Sequence, residues 1–331
     1  MATKLQTDTT LLDPTLSLRP AQWTDADAVA KLILDVCTHD GDPTVAVTVE
    51  ELQREWKSPG FVLERDTFVV ETPDGRIVGY EEFVNRHAHA YLGGDGYVHP
   101  DFMGRGIGTT MLHALEARAH EEMQLADPRL RVFIRNGMSI GDRVSREMHE
   151  NEGYKAIRFS WRMEITLTDA PPKPAFPDGI ELHPFEMAHD HAVYEAHEEA
   201  FSDHWGHVRR PYEEWAHRFS ERDPSLWHIA WDSRSAEIAG YSLCRYRMGI
   251  GWVGTLGVRR AWRKRGLGEA LLLHSFGEFH KRGMRTVGLG VDAANPTGAT
   301  RLYQKAGMSV ASEYVIYEKE LRPGLDPEEQ E

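Results

Sequence analysis

The sequence predicts two consecutive domains of one plan, each an α/β (α+β) unit around a mixed sheet. The first observation behind this is an internal repeat. AEIAGY, ending at Tyr241, repeats GRIVGY, ending at Tyr80, 161 positions later, and KRGLG, centred on Gly266, repeats GRGIG, centred on Gly106, 160 positions later. LSLRPAQWTDADAVAKL and IELHPFEMAHDHAVYEA open the two halves, and ENEGYKAIRFSWRMEITL and QKAGMSVASEYVIYEKEL close them. Matches in the same order at nearly the same offset point to duplication. The second observation is the alternation of strand-like and helical segments. The third is a glycine turn at the same place in each half.

Each half reads, in order, as strand, helices, strands, glycine turn, helix, strand, helix and strand. In the second half LWHIAWD and IAGYSLCRYRM read as neighbouring strands of a meander, and GWVGTLGV as a third strand. A helix runs from Leu267 to about Arg282 and stops before Gly283. TVGLGV is a short buried strand. NPTGATRLYQKAG then places Asn295 at an N-cap, Pro296 at the first helical position and Gly307 at the end. In the first half Ile107, Met111, Ala114 and Leu115 give the helix after the turn its apolar face. TDAPPKPAFPDG, residues 168–179, has four prolines and reads as a linker. The expected division is therefore an extension over 1–15, domains over 16–167 and 180–323, the linker between them, and a solvated acidic tail over 324–331.

Totals bound the function. Among 331 residues, 52 Asp and Glu against 38 Lys and Arg leave a net charge of −14, which argues against nucleic acid as the main partner. No apolar stretch suits a signal peptide or a membrane span, so the expected location is the cytoplasm, with no membrane partner. The two cysteines, Cys37 and Cys244, read as buried small hydrophobes and suit a reducing compartment. No metal site is expected.

Against that acidic background, VRRAWRKRGLGEALLLHSFG gathers five cations in the seven residues from Arg259 to Arg265. A strand running into Arg-x-x-Gly-x-Gly and then a helix leaves backbone N–H groups free at the helix start. Glycines let a bulky anion approach, and the helix dipole adds partial positive charge. Arg259, Arg260, Arg263, Lys264 and Arg265 add full charges, which together describe a cradle for a pyrophosphate. Neither a Gly-x-x-x-x-Gly-Lys-Ser/Thr loop nor a dinucleotide Gly-x-Gly-x-x-Gly is present.

LGVRRAWRKRGLGEALL resembles the acyl-CoA-binding motif of the GCN5-related N-acetyltransferases, Arg/Gln-x-x-Gly-x-Gly/Ala after a strand ending in Val, with Arg263, Gly266 and Gly268 matching. VDAANPTGATRLYQKAGM resembles that family's next motif through Asn295, Tyr303 and Gly307, with Met308 in place of the usual aromatic. The resemblance covers 16–323 and implies a tandem pair of such domains, each with a mixed, mostly antiparallel sheet flanked by helices. It implies acetyl-CoA as cofactor, its pyrophosphate gripped by Arg263, Lys264, Arg265, Gly266, Leu267 and Gly268. Leu256, Gly257 and Val258 would serve the pantetheine arm and thioester, and Asn295 the pantetheine side. Tyr303 would give the leaving thiolate its proton.

Acyl transfer to an amine also needs a base. Related enzymes often place a Glu on the strand before the cradle, and GWVGTLGV has none. His204, Trp205 and His207, in HEEAFSDHWGHVRRPYEEW, fall where the acceptor pocket is expected, with a group that titrates near neutrality. The first copy departs from the pattern. Met103 stands at the position of Arg263, Arg105 is the cation of its turn, and His149 stands at the position of Tyr303. Asn136 lies 13 residues before His149, against 8 from Asn295 to Tyr303. Val98, Gly104, Arg105, Gly106 and Gly108 remain candidates for CoA contact there, with catalysis weakened or lost and His149 the second-best acid. The leading expectation is N-acetylation of a small-molecule amine in the second domain, by direct attack in a ternary complex. The alternatives are an acyl-CoA sensor and a protein or peptide N-acetyltransferase. A fused pair can be a monomer, already containing its pseudo-dimer, or a homodimer.

Overall fold

The strands of each half are part of the mixed sheet that the sequence predicts, and the pairing order repeats in the two halves. The computed structural model describes residues 9–209, 211–219, 223–295 and 297–327. The chain divides into two units, 1–158 with 314–331 (unit 1) and 159–313 (unit 2).

Unit 1 opens with β1 (Ser17–Arg19), α1 (Ala26–His39), α2 (Val49–Glu55) and α3 (Leu63–Asp66). A meander follows: β2 (Thr67–Glu71), β3 (Ile77–His87) and β4 (Tyr91–Val98). After the glycine turn come α4 (Ile107–Met123), β5 (Val132–Ser139), α5 (Arg143–Asn151) and β6 (Lys155–Thr166). Unit 2 repeats the order with β7 (Ile180–Pro184), α6 (Asp190–Phe201), α7 (Tyr212–Phe219), β8 (Trp227–Asp232), β9 (Glu237–Arg247), β10 (Ile250–Val258), α8 (Leu267–Lys281), β11 (Thr286–Asp292), α9 (Ala299–Lys305) and β12 (Ser309–Arg322). Strands β1 to β4 pair antiparallel in sequence, β4 pairs β5 in parallel, and β12 pairs β5 antiparallel. In unit 2, β7 to β10 pair antiparallel, β10 pairs β11 in parallel, and β6 pairs β11 antiparallel.

The closing strands decide where the units divide. Residues 160–166 of β6 pair with β11 in unit 2, and Tyr314–Arg322 of β12 pair with β5 in unit 1. The division thus falls inside two strands and not in the proline-rich stretch, which lies within unit 2. Sequence periodicity locates a strand but does not name its partner. The expected acidic tail also starts as structure: Leu325 bridges Leu130, and Asp326 lies 3.7 Å from Arg131. Its last four residues are outside the described ones.

Helix α4 packs Ile107, Met111, Leu112, Ala114 and Leu115 into the unit 1 core, as its apolar spacing requires. In unit 2, α8 buries Leu267, Leu271, Leu272, Phe276 and Phe279. It ends at Lys281, with Arg282 as its C-cap and Gly283 following at φ 82°, a left-handed stop. Cys37 and Cys244 are buried, and neither is in a disulfide.

Candidate active site

The second glycine turn is the candidate site that the sequence points to. Strand β10 pairs with β11 only at Gly251–Val287 and Trp252–Gly288, while its pairing with β9 continues to Val258. Between Val253 and Thr255 the β9 register shifts, leaving Gly254 as the extra residue of a bulge. A bulge bends its strand and raises the local twist, which turns the end of β10 away from β11 and splays the two strands apart. Leu256, Gly257 and Val258 lie on that released end. The Tyr241 ring lies against Gly257, and a Cβ there would stand 2.5 Å from the phenolic oxygen, so the close approach requires glycine.

Beyond Val258 the chain makes a short 3-10 turn, Arg260–Trp262, and then takes left-handed conformations at Lys264 (φ 61°) and Gly266 (φ 85°). Gly266 is the N-cap of α8, and no side chain caps it. The first N–H groups of a helix have no intrahelical partner, so those of Leu267, Gly268 and Glu269 face an uncapped end. Space above Gly266 is open, with nothing within 4 Å of a Cβ built there. Lys264, Arg265 and Gly266 are exposed.

Of the five cations gathered here, three are structural. Arg263 donates from Nε to the Val258 carbonyl (3.1 Å) and from its guanidinium to the Ala200 carbonyl (2.9 Å) and Asp203 (2.8 Å). Arg260 donates to Asp203 and Ser202, and Arg259 to Glu199 (2.6 Å). Bonds from Arg260 and Arg263 hold the Asp203 carboxyl down to about 2. The expectation that all five side chains face the anion is therefore corrected. Arg259, Arg260 and Arg263 fasten the turn to α6 and the residues after it, and the charges left at the cradle are Lys264 and Arg265. The acids that pair them lie some 60 positions upstream, beyond the reach of a motif.

Tyr303 lies on α9, buried to 9 % exposure among Leu272, Phe276, Leu289 and Met308. Burial pushes its phenol up to about 12, so it is a neutral proton carrier at physiological pH. The helix starts later than the sequence indicates. Gly298, left-handed at φ 79°, is the N-cap, and α9 begins at Ala299. Asn295 instead accepts from the Thr297 N–H (2.8 Å) and hydroxyl, closing an Asx turn in the loop. Pro296 lies outside the described residues. Gly307, at φ 94°, ends the helix as expected.

His204, Trp205 and His207 are half-buried in the loop after α6. Burial and the Arg263 charge lower the His204 pKa, with Asp292, at the end of β11, acting in the opposite sense. His207 Nε2 lies 3.1 Å from Glu198 Oε2, and Glu198 is 6 % exposed. On the same face His197 Nδ1 and the Tyr241 hydroxyl hydrogen-bond at 2.9 Å, and the Glu198 charge raises the buried Tyr241 phenol further. Sequence reasoning missed Glu198 and Tyr241. A buried acid in a helix reads like any exposed one when its neighbours arrive from another strand.

In unit 1 the corresponding groups are engaged internally. His149, buried, donates from Nδ1 to the Ser145 carbonyl (2.8 Å), and its Nε2 meets Asn136 Nδ2 at 3.1 Å. Desolvation lowers its pKa and keeps it neutral. With both nitrogens bonded, it has no proton to offer a bound molecule, so its candidacy as an acid is not supported by the geometry. Asn136 itself lies within β5, not in a loop like Asn295, which explains the longer spacing to His149. No group of three or more metal-ligating residues, and no helix long and apolar enough to cross a membrane, occurs among the described residues.

Comparison with known proteins agrees with this architecture. A family model described as acetyltransferase (GNAT) family matches residues 191–308, and one described as acetyltransferase (GNAT) domain matches 61–155. The chain is 30% identical over 236 residues to a mycothiol acetyltransferase of Thermobispora bispora, an alignment spanning 68% of this chain and 75% of that one. It is 28% identical over 258 residues to a mycothiol acetyltransferase of Catenulispora acidiphila, spanning 75% and 79%. A GCN5-related N-acetyltransferase from Sphaerobacter thermophilus superposes with a TM-score of 0.80 at 37% identity, covering 95% of this chain and 98% of that one. A tandem GNAT protein from the clavulanic acid biosynthesis pathway shares the fold at a TM-score of 0.72 and 18% identity, covering 93% and 99%. The repeated topology, the splayed strands above an open glycine turn and these likenesses together identify the chain as a tandem member of the GNAT acetyltransferase family.

Proposed function

We propose that the chain is an acetyl-CoA-dependent N-acetyltransferase that modifies the primary amine of a small molecule, with the chemistry in unit 2. The observation that carries this reading is the open, uncapped start of α8 beside the splayed end of β10, with a neutral Tyr303 nearby on α9. The N–H groups of Leu267 and Gly268, with Lys264 and Arg265, fit a pyrophosphate, because donors and charge converge there without internal partners. The edge of β10 from Leu256 to Val258 suits an extended amide-bearing arm, as an unpaired strand edge does. Asn295 Nδ2 lies in the loop beyond β11, on the opposite side of the splay. When bound, acetyl-CoA supplies the acetyl group as a thioester.

Three tasks then fall to this chain's own residues. Tyr303 gives a proton to the leaving sulfur, its buried phenol being protonated at neutral pH. His207 takes a proton from the incoming ammonium, with the Glu198 carboxylate 3.1 Å from its Nε2. His204 and Trp205 line the acceptor side. The relatives named mycothiol acetyltransferase make a mycothiol-related amine the first acceptor to try.

The test follows thiol release from acetyl-CoA with a panel of small amines and lysine peptides, alongside calorimetric binding of acetyl-CoA. Release that depends on a small amine and falls in Tyr303→Phe supports the reading. Release with peptides alone would move it to protein acetylation. No acetyl-CoA binding would sink it.

A further inference from the structure

We propose that unit 1 is closed to acyl-CoA by its own chain, so that each molecule holds a single acyl-CoA, in unit 2. This rests on reading the glycine turns as CoA cradles. The first closure is at the turn. Residues 11–16 run across it as a strap: the Asp13 N–H donates to the Arg105 carbonyl (3.0 Å), and a Cβ on Gly106 would overlap the Leu11 carbonyl. That carbonyl brings partial negative charge to the spot where an anion would need positive charge. Leu12 and Leu16 anchor the strap in an apolar cluster with Val70, Val78, Ile107 and Met111. Arg105, the cation of this turn, is also drawn aside, over the Phe102 ring at 4.8 Å and 3.9 Å from Asp13.

The second closure is where the strands would part. In unit 1 the parallel pairing of β4 with β5 continues through Gly94–Asn136, and the Asn136 side-chain oxygen accepts from the Gly94 N–H at 3.1 Å. The Glu81 carboxyl, 5 % exposed, fills the space beside Gly94, with Oε1 2.7 Å from where a Cβ would stand. Its Oε1 has no hydrogen-bond partner. At the matching place in unit 2 the shorter Ser242 stands opposite Leu256 and carries no carboxyl group, its hydroxyl bonding Ser275 at 2.7 Å. A pantetheine arm entering unit 1 would have to displace a carboxyl group and break the Asn136 bridge, after its pyrophosphate had already lost the turn to the strap.

Calorimetric titration of the full chain with acetyl-CoA, combined with hydrogen exchange, tests this. The expected stoichiometry is one per chain, with binding lost in Gly266→Glu and in the exposed double variant Lys264→Glu/Arg265→Glu. Acetyl-CoA should slow amide exchange over 264–269 and leave 104–108 unchanged. Leu12→Ser/Leu16→Ser should speed exchange over 104–108 several-fold while the unit 2 site still binds, which shows that the variant is folded. Two molecules per chain, a site that survives Gly266→Glu, or ligand protection over 104–108 would overturn the proposal. So would unchanged exchange there in the strap variant. Failure of the parent chain to bind at all would instead remove the cradle reading, and this inference with it.

Discussion

The two glycine turns share a backbone and differ in what covers them. Gly104 and Gly106 in unit 1, and Lys264 and Gly266 in unit 2, all take left-handed conformations before a helix that begins one residue later. Over Gly106 lies the carbonyl of Leu11, whereas nothing lies over Gly266. The strands behind the turns diverge in the same direction. Unit 2 has a bulge at Gly254 and two parallel pairs before the splay, and unit 1 has no bulge there and four pairs. A turn is therefore a necessary part of an anion site but not a sufficient one. Access to its donors depends on residues far away in the sequence, such as a leucine strap or an asparagine bridging two strands.

The sharpest way to break this asymmetry is at the paired helices α9 and α5. Removing the Tyr303 hydroxyl takes away a proton donor, an effect of about 100-fold where general acid catalysis contributes. Tyr303→Phe should lower kcat by about that factor with little change in KM for acetyl-CoA. His149→Gln should leave kcat unaltered and cost unit 1 about 1–2 kcal/mol through a lost buried hydrogen bond, read by thermal unfolding. Loss of kcat in His149→Gln with the fold intact would place chemistry in unit 1 as well.

A smaller effect is expected at the acceptor side. Glu198→Gln keeps the shape of the buried residue but removes the charge beside His207. About tenfold in kcat/KM should be lost. His207→Gln should lose at least as much. Unchanged kcat/KM in both variants would assign the proton transfer to another group.

Much of this fold was legible in the sequence and the site only in part, for reasons that differ by residue. The repeat, the meanders, α8 and its stop at Gly283 are local signals: apolar periodicity, a glycine needing positive φ, a strand-length run. The role of Arg263 was not local, because its partners, Ala200 and Asp203, come from the far end of α6. Asn295 misled because Asn caps helices and closes Asx turns by the same hydrogen bond, and only the left-handed Gly298 decides which. The partners of β6 and β12 were illegible because strand composition carries no address. The strap was hidden for a plainer reason: Leu12 and Leu16, at the edge of the expected extension, belong to no periodic run that announces a face.

The units should also respond to pH in opposite directions. In unit 1 burial, with Glu55 and Asp95 nearby, raises Glu82 from 4.5 to about 8, and burial raises Glu81 well above its ordinary value. Between about pH 4.5 and 8 the folded unit therefore binds more protons than the unfolded one, and it loses stability as pH rises. In unit 2 burial, with His228 nearby, lowers His274 from 6.5 to about 4. There the unfolded state binds more protons between 4 and 6.5, so stability is lost as pH falls through that window. Hydrogen exchange at pH 5.5 and pH 8 should show unit 1 better protected at the lower value and unit 2 at the higher. Glu82→Gln should flatten the first slope and His274→Gln the second.

The smallest effect expected is at Lys264, and it bears most directly on why the turns diverged. A side chain in the left-handed region costs about 1 kcal/mol, and unit 1 avoids that cost with Gly104. Unit 2 carries the strain at an exposed lysine, next to the open start of α8. Such strain is retained where the surrounding structure or its function requires it. Lys264→Gly should then stabilise unit 2 by less than about 1 kcal/mol, since the relieved strain is offset by the greater freedom of glycine when unfolded. The same change should weaken acetyl-CoA binding several-fold, and the weakening should shrink as salt screens the exposed charge. Lys264→Arg keeps both the strain and the cation and should bind as the parent does. Equal affinity in the glycine variant would mean that the backbone N–H groups alone hold the anion, and that the lysine is not retained for charge.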